Sequence, residues 1–362
     1  MYYKLPTTLY CEKDCISRHA SDISSYGQYA YIITGRHSAK TNGSLSDILN
    51  ALKAHNINYQ IYDRINENPS IENIMEAVSL SDKKCDFVIG IGGGSALDAS
   101  KAIAMLLANP DKDENCLYDN SKKLPHLPIV TIPTTCGTGS EITPYSILTI
   151  HKERTKRSLP HKIYPSLALI EPMYLNSAPD TIIRNTAIDA LGHLIESYIN
   201  TNATLVSRMF CIQGLNGWQN IYRILTDKTR NYESYEKLMM TSAFAGMAIS
   251  HTGTCLPHGM SYGITYEHNI PHGKAVGTFL GAFVDNADSD MRDTVLSLCG
   301  FKDGHSIHKA ITEFCGTVTL TSKEVNTAVS GMLSNTKKLK SCPYSVDEKV
   351  LREMYQRSVI IQ

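Results

Sequence analysis

The sequence predicts a two-domain protein, an α/β domain over residues 1–178 followed by an all-α domain over residues 179–362, and three observations carry that prediction. At 362 residues the chain exceeds the size at which one core usually keeps growing. Its first half alternates short β-rich runs with helical patterns, as a largely parallel sheet wrapped by helices requires. From about Asp180 strand-like runs nearly vanish, and long apolar stripes replace them.

The strands expected in the first half are Ala30–Thr34, Asn58–Tyr62, Phe87–Ile91, Ile129–Pro133 and Leu167–Ile170. Between them Ser44–Ala54 and Ile71–Ser81 carry helical periodicity. The apolar stripes of the second half cover 182–199, 204–226, 233–250, 274–286 and 306–315, and each reads as helix. Ser345–Arg357 has acidic residues near its start and basic ones near its end, which suits the dipole of a terminal helix.

Charge is balanced, with 35 basic and 35 acidic residues, so neither nucleic acid nor an anionic membrane is expected as a partner. Ten cysteines occur without a CxxC pair, and several, such as Cys211 in MFCI and Cys299 in LSLCG, lie in apolar runs. Buried free thiols in a reducing compartment are expected rather than a disulfide frame. The N-terminus MYYKLPTTLYCEKD has no apolar signal core, and no apolar run is long enough to span a bilayer. The expected location is the cytoplasm.

Two loops suit an anionic ligand. DFVIGIGGGSALDASKAIAML is a strand, a glycine turn and a helix in succession. Gly92, Gly93 and Gly94 remove Cβ obstruction, and the following helix aims its first N–H groups at the same place. Ser95 and Asp98 also match an S-x-x-D capping pattern, so a plain capped helix remains an alternative. IVTIPTTCGTGSEITPYS then sets Thr134, Thr135, Thr138, Ser140 and Thr143 around Gly137 and Gly139, directly after an apolar strand. Hydroxyls at a strand's carboxyl end suit ribose and phosphate contacts, and an ordinary Ser/Thr/Gly turn is the alternative.

Four residues of the second half read as one metal site. Asp189 and His193 in TAIDALGHLIESY stand four apart, on one helical face, and His258 and His272 follow in PHGMSYGITYEHNIPHG. Among 13 histidines any single one is more often a surface or core residue than a ligand. The context is stronger than the spacing, because both later histidines sit in Pro-His-Gly tripeptides, where helices start and backbone turns sharply. One carboxylate with three imidazoles fits a borderline divalent metal such as iron or zinc, and is too nitrogen-rich for magnesium or calcium. Such a site is a candidate Lewis acid.

Taken together, GGGSALDASK, TIPTTCGTGSE, the D-x3-H helix and HG-x12-HG resemble the iron-containing, or group III, alcohol dehydrogenases, in the shorter branch of that family. The resemblance covers nearly the whole chain. It implies an N-terminal dinucleotide-binding α/β domain and a C-terminal helical metal-binding domain, the dehydroquinate synthase-like fold, with cofactor and metal in the cleft between them. It also implies transfer of hydride between a nicotinamide cofactor, NAD(P), and a small alcohol or aldehyde, with Fe2+ as the metal and Zn2+ as a substitute.

By that resemblance Asp189, His193, His258 and His272 match the metal ligands. Gly93, Gly94 and Ser95 match the pyrophosphate turn, Asp98 a position nearer the nicotinamide, and Thr134, Thr135 and Ser140 further cofactor contacts. Asn68 in ENPS matches an asparagine of the cofactor groove, and Lys156 in KERTKRS a lysine at the nicotinamide ribose. The sequence departs from the family twice. Many members carry a histidine where Tyr262 stands, so Tyr262 becomes a candidate to orient substrate or pass a proton, with His268 as the alternative carrier. Many NAD-preferring members carry an aspartate where Gly35 stands; without it, Arg36, Ser38 and Lys40 are free to meet a 2′-phosphate, and NADP(H) is the expected preference. Two other functions share parts of the pattern, a cyclising lyase of the dehydroquinate synthase type and a non-catalytic nucleotide- and metal-binding module. The lyases use a glutamate with two histidines, unlike the set found here. A homodimer is admitted as an assembly.

Overall fold

The structure, a computed structural model, describes residues 4–82, 84–227 and 230–362. Met1–Tyr3, the start of the segment read above for a signal core, lie outside the described residues. The chain forms two compact units, one of Lys4–Ala178 with Asn231–Met239, the other of Pro179–Arg230 with Met240–Gln362.

The first unit holds strands β1 (Thr8–Cys11), β2 (Tyr29–Gly35), β3 (Asn58–Ile65), β4 (Phe87–Gly92), β5 (Ile129–Pro133), β6 (Ile147–Ile150), β7 (Thr155–Ser158) and β8 (Leu167–Ile170). Six of them form a sheet in the order β1-β8-β5-β4-β2-β3, every pair parallel. β6 and β7 make a separate antiparallel hairpin. The helices are α1 (Cys15–Arg18), α2 (Ala20–Ser24), α3 (Ser38–Thr41), α4 (Ser44–Ala54), α5 (Ile71–Leu80) and α6 (Gly94–Leu107). β4 and β5 are buried at every position, which is why Phe87–Ile91 and Ile129–Pro133 read as continuous apolar runs rather than alternating ones. From β2 the chain goes to β3 on one side and then to β4 on the other, so the strand order reverses at β2. Open α/β sheets bind ligands outside the carboxyl ends of the strands at such a reversal. Here those ends are Gly35 and Gly92, one position beyond the paired Thr34 and Ile91.

The second unit holds α7 (Asp180–Tyr198), α8 (Leu205–Asn216), α9 (Trp218–Thr226), most of α10 (Tyr232–Thr252), α11 (Leu256–His268), α12 (His272–Asp285), α13 (Ser289–Cys299), α14 (Gly304–Cys315), α15 (Ser322–Ser334), α16 (Thr336–Ser341) and α17 (Glu348–Ser358). A two-residue parallel pair, β9 (Thr319–Leu320) with β10 (Ile360–Ile361), ties its end. The stripe 204–226 proves to be two helices, parted at Gly217. α12 is the central helix, buried from Ala275 to Val284 and packed on α7, α11 and α14. Its glycines allow that approach: a Cβ on Gly281 would lie 2.2 Å from the Gly304 carbonyl oxygen, and one on Gly273 1.7 Å from that of Asn185. No helix among the described residues is long and apolar enough to cross a membrane. All ten cysteines are free thiols.

Candidate active site

Three helices of the second unit bring Asp189, His258 and His272 together. Asp189 projects from the middle of α7, while His258 and His272 stand at the starts of α11 and α12, each placed by the proline before it. Their donor atoms all lie within 4.8 Å of one another. His258 Nε2 stands 3.4 Å and His272 Nε2 3.7 Å from Asp189 Oδ1. These gaps are too long for hydrogen bonds, and two ligand atoms on a tetrahedral ion with bonds of about 2.1 Å sit roughly 3.4 Å apart. Asp189 Oδ1 and His258 Nε2 are buried without a hydrogen-bond partner among the described residues. Buried polar atoms in that condition, facing one another at ligand spacing, fit a divalent metal.

Glu196, also on α7 and fully buried, organises the group from behind. It accepts hydrogen bonds from the Cys255 and His258 backbone N–H groups at 2.5 and 3.2 Å, and from His258 Nδ1 at 2.5 Å. Because the carboxylate can only accept, Nδ1 carries the proton and Nε2 keeps its lone pair for a metal. Burial alone would push the Asp189 carboxyl up; the charges of His193, His272 and His258 instead hold it well below the usual carboxylate range. Burial likewise opposes protonation of His258, yet Glu196 and Asp189 raise its pKa to about 9. The proton that these two carboxylates favour thus competes with any metal ion for His258. A bound metal would displace the proton that they attract.

His193 stays outside the three-residue group. Its ring stacks on that of His258, centroids 4.4 Å apart. The His258 and Asp189 side chains are only 3% and 4% exposed, whereas that of His272 is 29% exposed, so the group opens on the His272 side. Tyr262 lies on that side, its ring parallel to that of His272 with centroids 6.0 Å apart. His268 does not belong here. It is the last residue of α11, ten residues from His258 and so about 15 Å along the axis, and it pairs with Glu324 at 3.1 Å.

In the first unit the glycine turn follows β4 directly. Gly92 takes a φ of +146°, which L side chains rarely adopt, and a Cβ on Gly94 would lie 2.6 Å from Thr138. The turn and the hydroxyl loop therefore touch. Thr134 N–H donates to the Gly92 carbonyl at 2.9 Å, and its buried Oγ1 has no hydrogen-bond partner among the described residues. Thr135 lies against Gly93, where a Cβ would meet its side chain at 3.1 Å. Asn68, in the left-handed region at φ 55°, gathers three elements. Its N–H donates to Ser95 Oγ at 3.1 Å, its carbonyl accepts from Thr149 Oγ1 at 2.9 Å, and its side chain accepts from Lys156 Nζ at 2.7 Å. Asn68, Ser95 and Lys156 thus meet at the carboxyl end of the sheet.

Asp98 behaves differently from a helix cap. The cap of α6 is Gly93, without a side-chain bond, and Asp98 lies inside, accepting from Ser140 Oγ and from Ile147 N–H at 2.9 Å. Lys101, not singled out from sequence, is wholly buried beside it. Gly35 ends β2 with room for a side chain, a Cβ there meeting only Ile65 O at 3.5 Å. Of the basic residues after it, Lys40 is engaged by Asp63 at 2.5 Å.

Comparison with known proteins places this geometry. Residues 6–172 match the family described as iron-containing alcohol dehydrogenase, and residues 183–339 match the C-terminal domain of the Fe-containing alcohol dehydrogenase family. An iron-containing alcohol dehydrogenase from Thermotoga maritima superposes with a TM-score of 0.91 at 35% identity, covering 99% of both chains. A second crystal structure of an iron-containing alcohol dehydrogenase gives 0.91 and 35% over 99% of this chain and 98% of that one. The probable alcohol dehydrogenase EutG of Salmonella typhimurium is 31% identical over 251 residues, 64% of each chain. The chain thus spans under two thirds of the length of the curated relatives it matches.

Proposed function

The chain belongs to the iron-containing alcohol dehydrogenase family, and on that premise we propose that it transfers hydride between a nicotinamide cofactor and a small alcohol or aldehyde, in the cytoplasm. The observation that carries this reading is the convergence of Asp189, His258 and His272 on one point, with Glu196 fixing the His258 tautomer. These three, with His193 one stacked ring away as the fourth, are the residues to hold Fe2+ or the more tightly binding Zn2+. When bound, the metal supplies Lewis acidity toward the substrate oxygen and the nicotinamide supplies or accepts the hydride. The protein's residues do the rest. Asp189 adds a negative charge that tempers the site's electropositivity, and the open side at His272 admits substrate past Tyr262. Asn68, Ser95, Thr134 and Lys156 offer the cofactor a polar seat at the strand ends. Lys40 is already paired with Asp63, so Arg36 and Ser38 are left to meet a 2′-phosphate where Gly35 repels none, and NADP(H) is the preferred cofactor.

The test is a panel of short aldehydes assayed with both NADH and NADPH on metal-loaded protein, beside the variant His272→Ala. Turnover in the wild type, with loss of both bound metal and turnover in the variant, is the expected result. Full metal occupancy in His272→Ala would sink the site assignment. Equal or better catalytic efficiency with NADH would refute the cofactor preference alone.

A further inference from the structure

We propose that Lys101 is a positioning residue for the dinucleotide: it neutralises Asp98 beneath the glycine turn and ties the hydroxyl loop to α6, so that the start of α6 presents a net positive field to a pyrophosphate. The inference rests on the nicotinamide-dependent reading above. Lys101 sits one turn after Asp98 on α6, wholly buried, with Nζ 3.7 Å from Asp98 Oδ1. The same nitrogen donates to Ser140 Oγ at 2.7 Å and to the Tyr145 carbonyl at 2.6 Å. Asp98 in turn accepts from Ser140 Oγ and from Ile147 N–H, and its own carbonyl accepts from Ser146 Oγ at 2.7 Å. Residues 140–147 are therefore fastened to α6 at Asp98 and Lys101.

The electrostatic consequence follows from position. An α-helix offers its first N–H groups and positive dipole end to an anion. A lone carboxylate five residues into α6 would cancel that field and repel the two phosphates. Burial pushes the Asp98 carboxyl up and the Lys101 ammonium down to about 8, while each charge pulls the other back toward its ordinary range, with Glu141 as a further acid acting on Lys101. Both oxygens of Asp98 being engaged inward, the residue serves the cofactor through this pair rather than by touching the nicotinamide.

Fluorescence titration of the intact protein with NADH and NADPH, and competition by adenosine, which has no phosphate, separate this role from general packing. Lys101→Met should weaken the better-bound dinucleotide about tenfold or more, as an uncompensated buried charge predicts, while leaving adenosine affinity within about twofold. The double variant Asp98→Asn/Lys101→Met, which removes the stranded carboxylate, should recover dinucleotide affinity to within about threefold of wild type. Unchanged dinucleotide affinity in Lys101→Met, equal losses for adenosine and dinucleotide, or no recovery in the double variant would each overturn the proposal. Should Lys101→Met not fold, the test passes to the double variant Asp98→Asn/Lys101→Met alone, which strands neither charge and should bind the dinucleotide within about threefold of wild type; a tenfold loss there overturns it as well. A wild-type protein that binds neither dinucleotide would instead overturn the nicotinamide reading itself.

Discussion

His258 offers Nε2 toward Asp189 because its other nitrogen is spent on Glu196, and Glu196 in turn is held by the two backbone N–H groups at the start of α11. One carboxylate thus fixes a ring, a tautomer and a helix end. Glu196→Gln keeps the shape but loses the charge that raises the basicity of His258, so metal affinity should fall about 10- to 100-fold, read by competition with a chromophoric chelator. Unchanged affinity would reduce Glu196 to a capping residue. Tyr262, by contrast, reaches the group only through the face of His272. Tyr262→Phe should lower turnover less than about tenfold, equivalent to about 1.4 kcal/mol in the barrier, and a loss as deep as that of His272→Ala would make its hydroxyl essential. The three convergent donors were legible in sequence because prolines and glycines mark the helix starts that carry two of them. Glu196 shares their helical face, seven residues after Asp189, but in HLIESY nothing distinguishes it from a solvated acid. Lys101 was hidden in the same way, as one lysine in an alanine-rich helix.

The Pro-His-Gly tripeptides also act on whole elements. At Gly273 the backbone of α12 runs so close to α7 that a methyl group would meet the Asn185 carbonyl at 1.7 Å, and backbone cannot swing aside as a side chain can. Gly263, inside α11, has nothing within 4 Å of the place where its Cβ would stand. Opposite signs follow. Gly273→Ala should destabilise the protein by about 3 kcal/mol, at the upper end of overpacking costs, whereas Gly263→Ala should stabilise it by about 0.5–1 kcal/mol through helix propensity. Thermal melts of both variants check this, and a harmless Gly273→Ala would mean that α7 and α12 are free to separate. Elements were legible where one physical signal dominated, as in the doubly buried strands β4 and β5. They were missed where a distant partner or a misleading composition hides the strand. β1 is four residues long and pairs with β8, from Thr8 to Leu167, so nothing local announces it. β7 reads TKRS, a charged run by composition, and becomes a strand only through pairing with β6.

At the scale of the molecule, the residues proposed for the cofactor and those proposed for the metal belong to separate compact units. The glycine turn, the hydroxyl loop, Asn68 and Lys156 all belong to the unit of Lys4–Ala178, while α7, α11 and α12 belong to the other. A change of texture near Asp180 accompanies that division in the sequence, because a buried parallel sheet and a helical bundle demand different apolar periods. The return of Asn231–Met239 to the first unit was not legible, since the start of α10 has the same helical pattern as its remainder. The division has a thermodynamic consequence, because sites that share no residues couple only through a change that both ligands bias. Removing the metal with a chelator should abolish turnover, yet leave dinucleotide affinity within about threefold of the loaded protein, below the range in which allosteric coupling is usually measured. Titration of NADPH and NADH into chelated and metal-loaded protein decides it. A shift beyond about tenfold would show that the metal and the nucleotide loops are coupled, and by reciprocity the dinucleotide would then tighten the metal by the same factor.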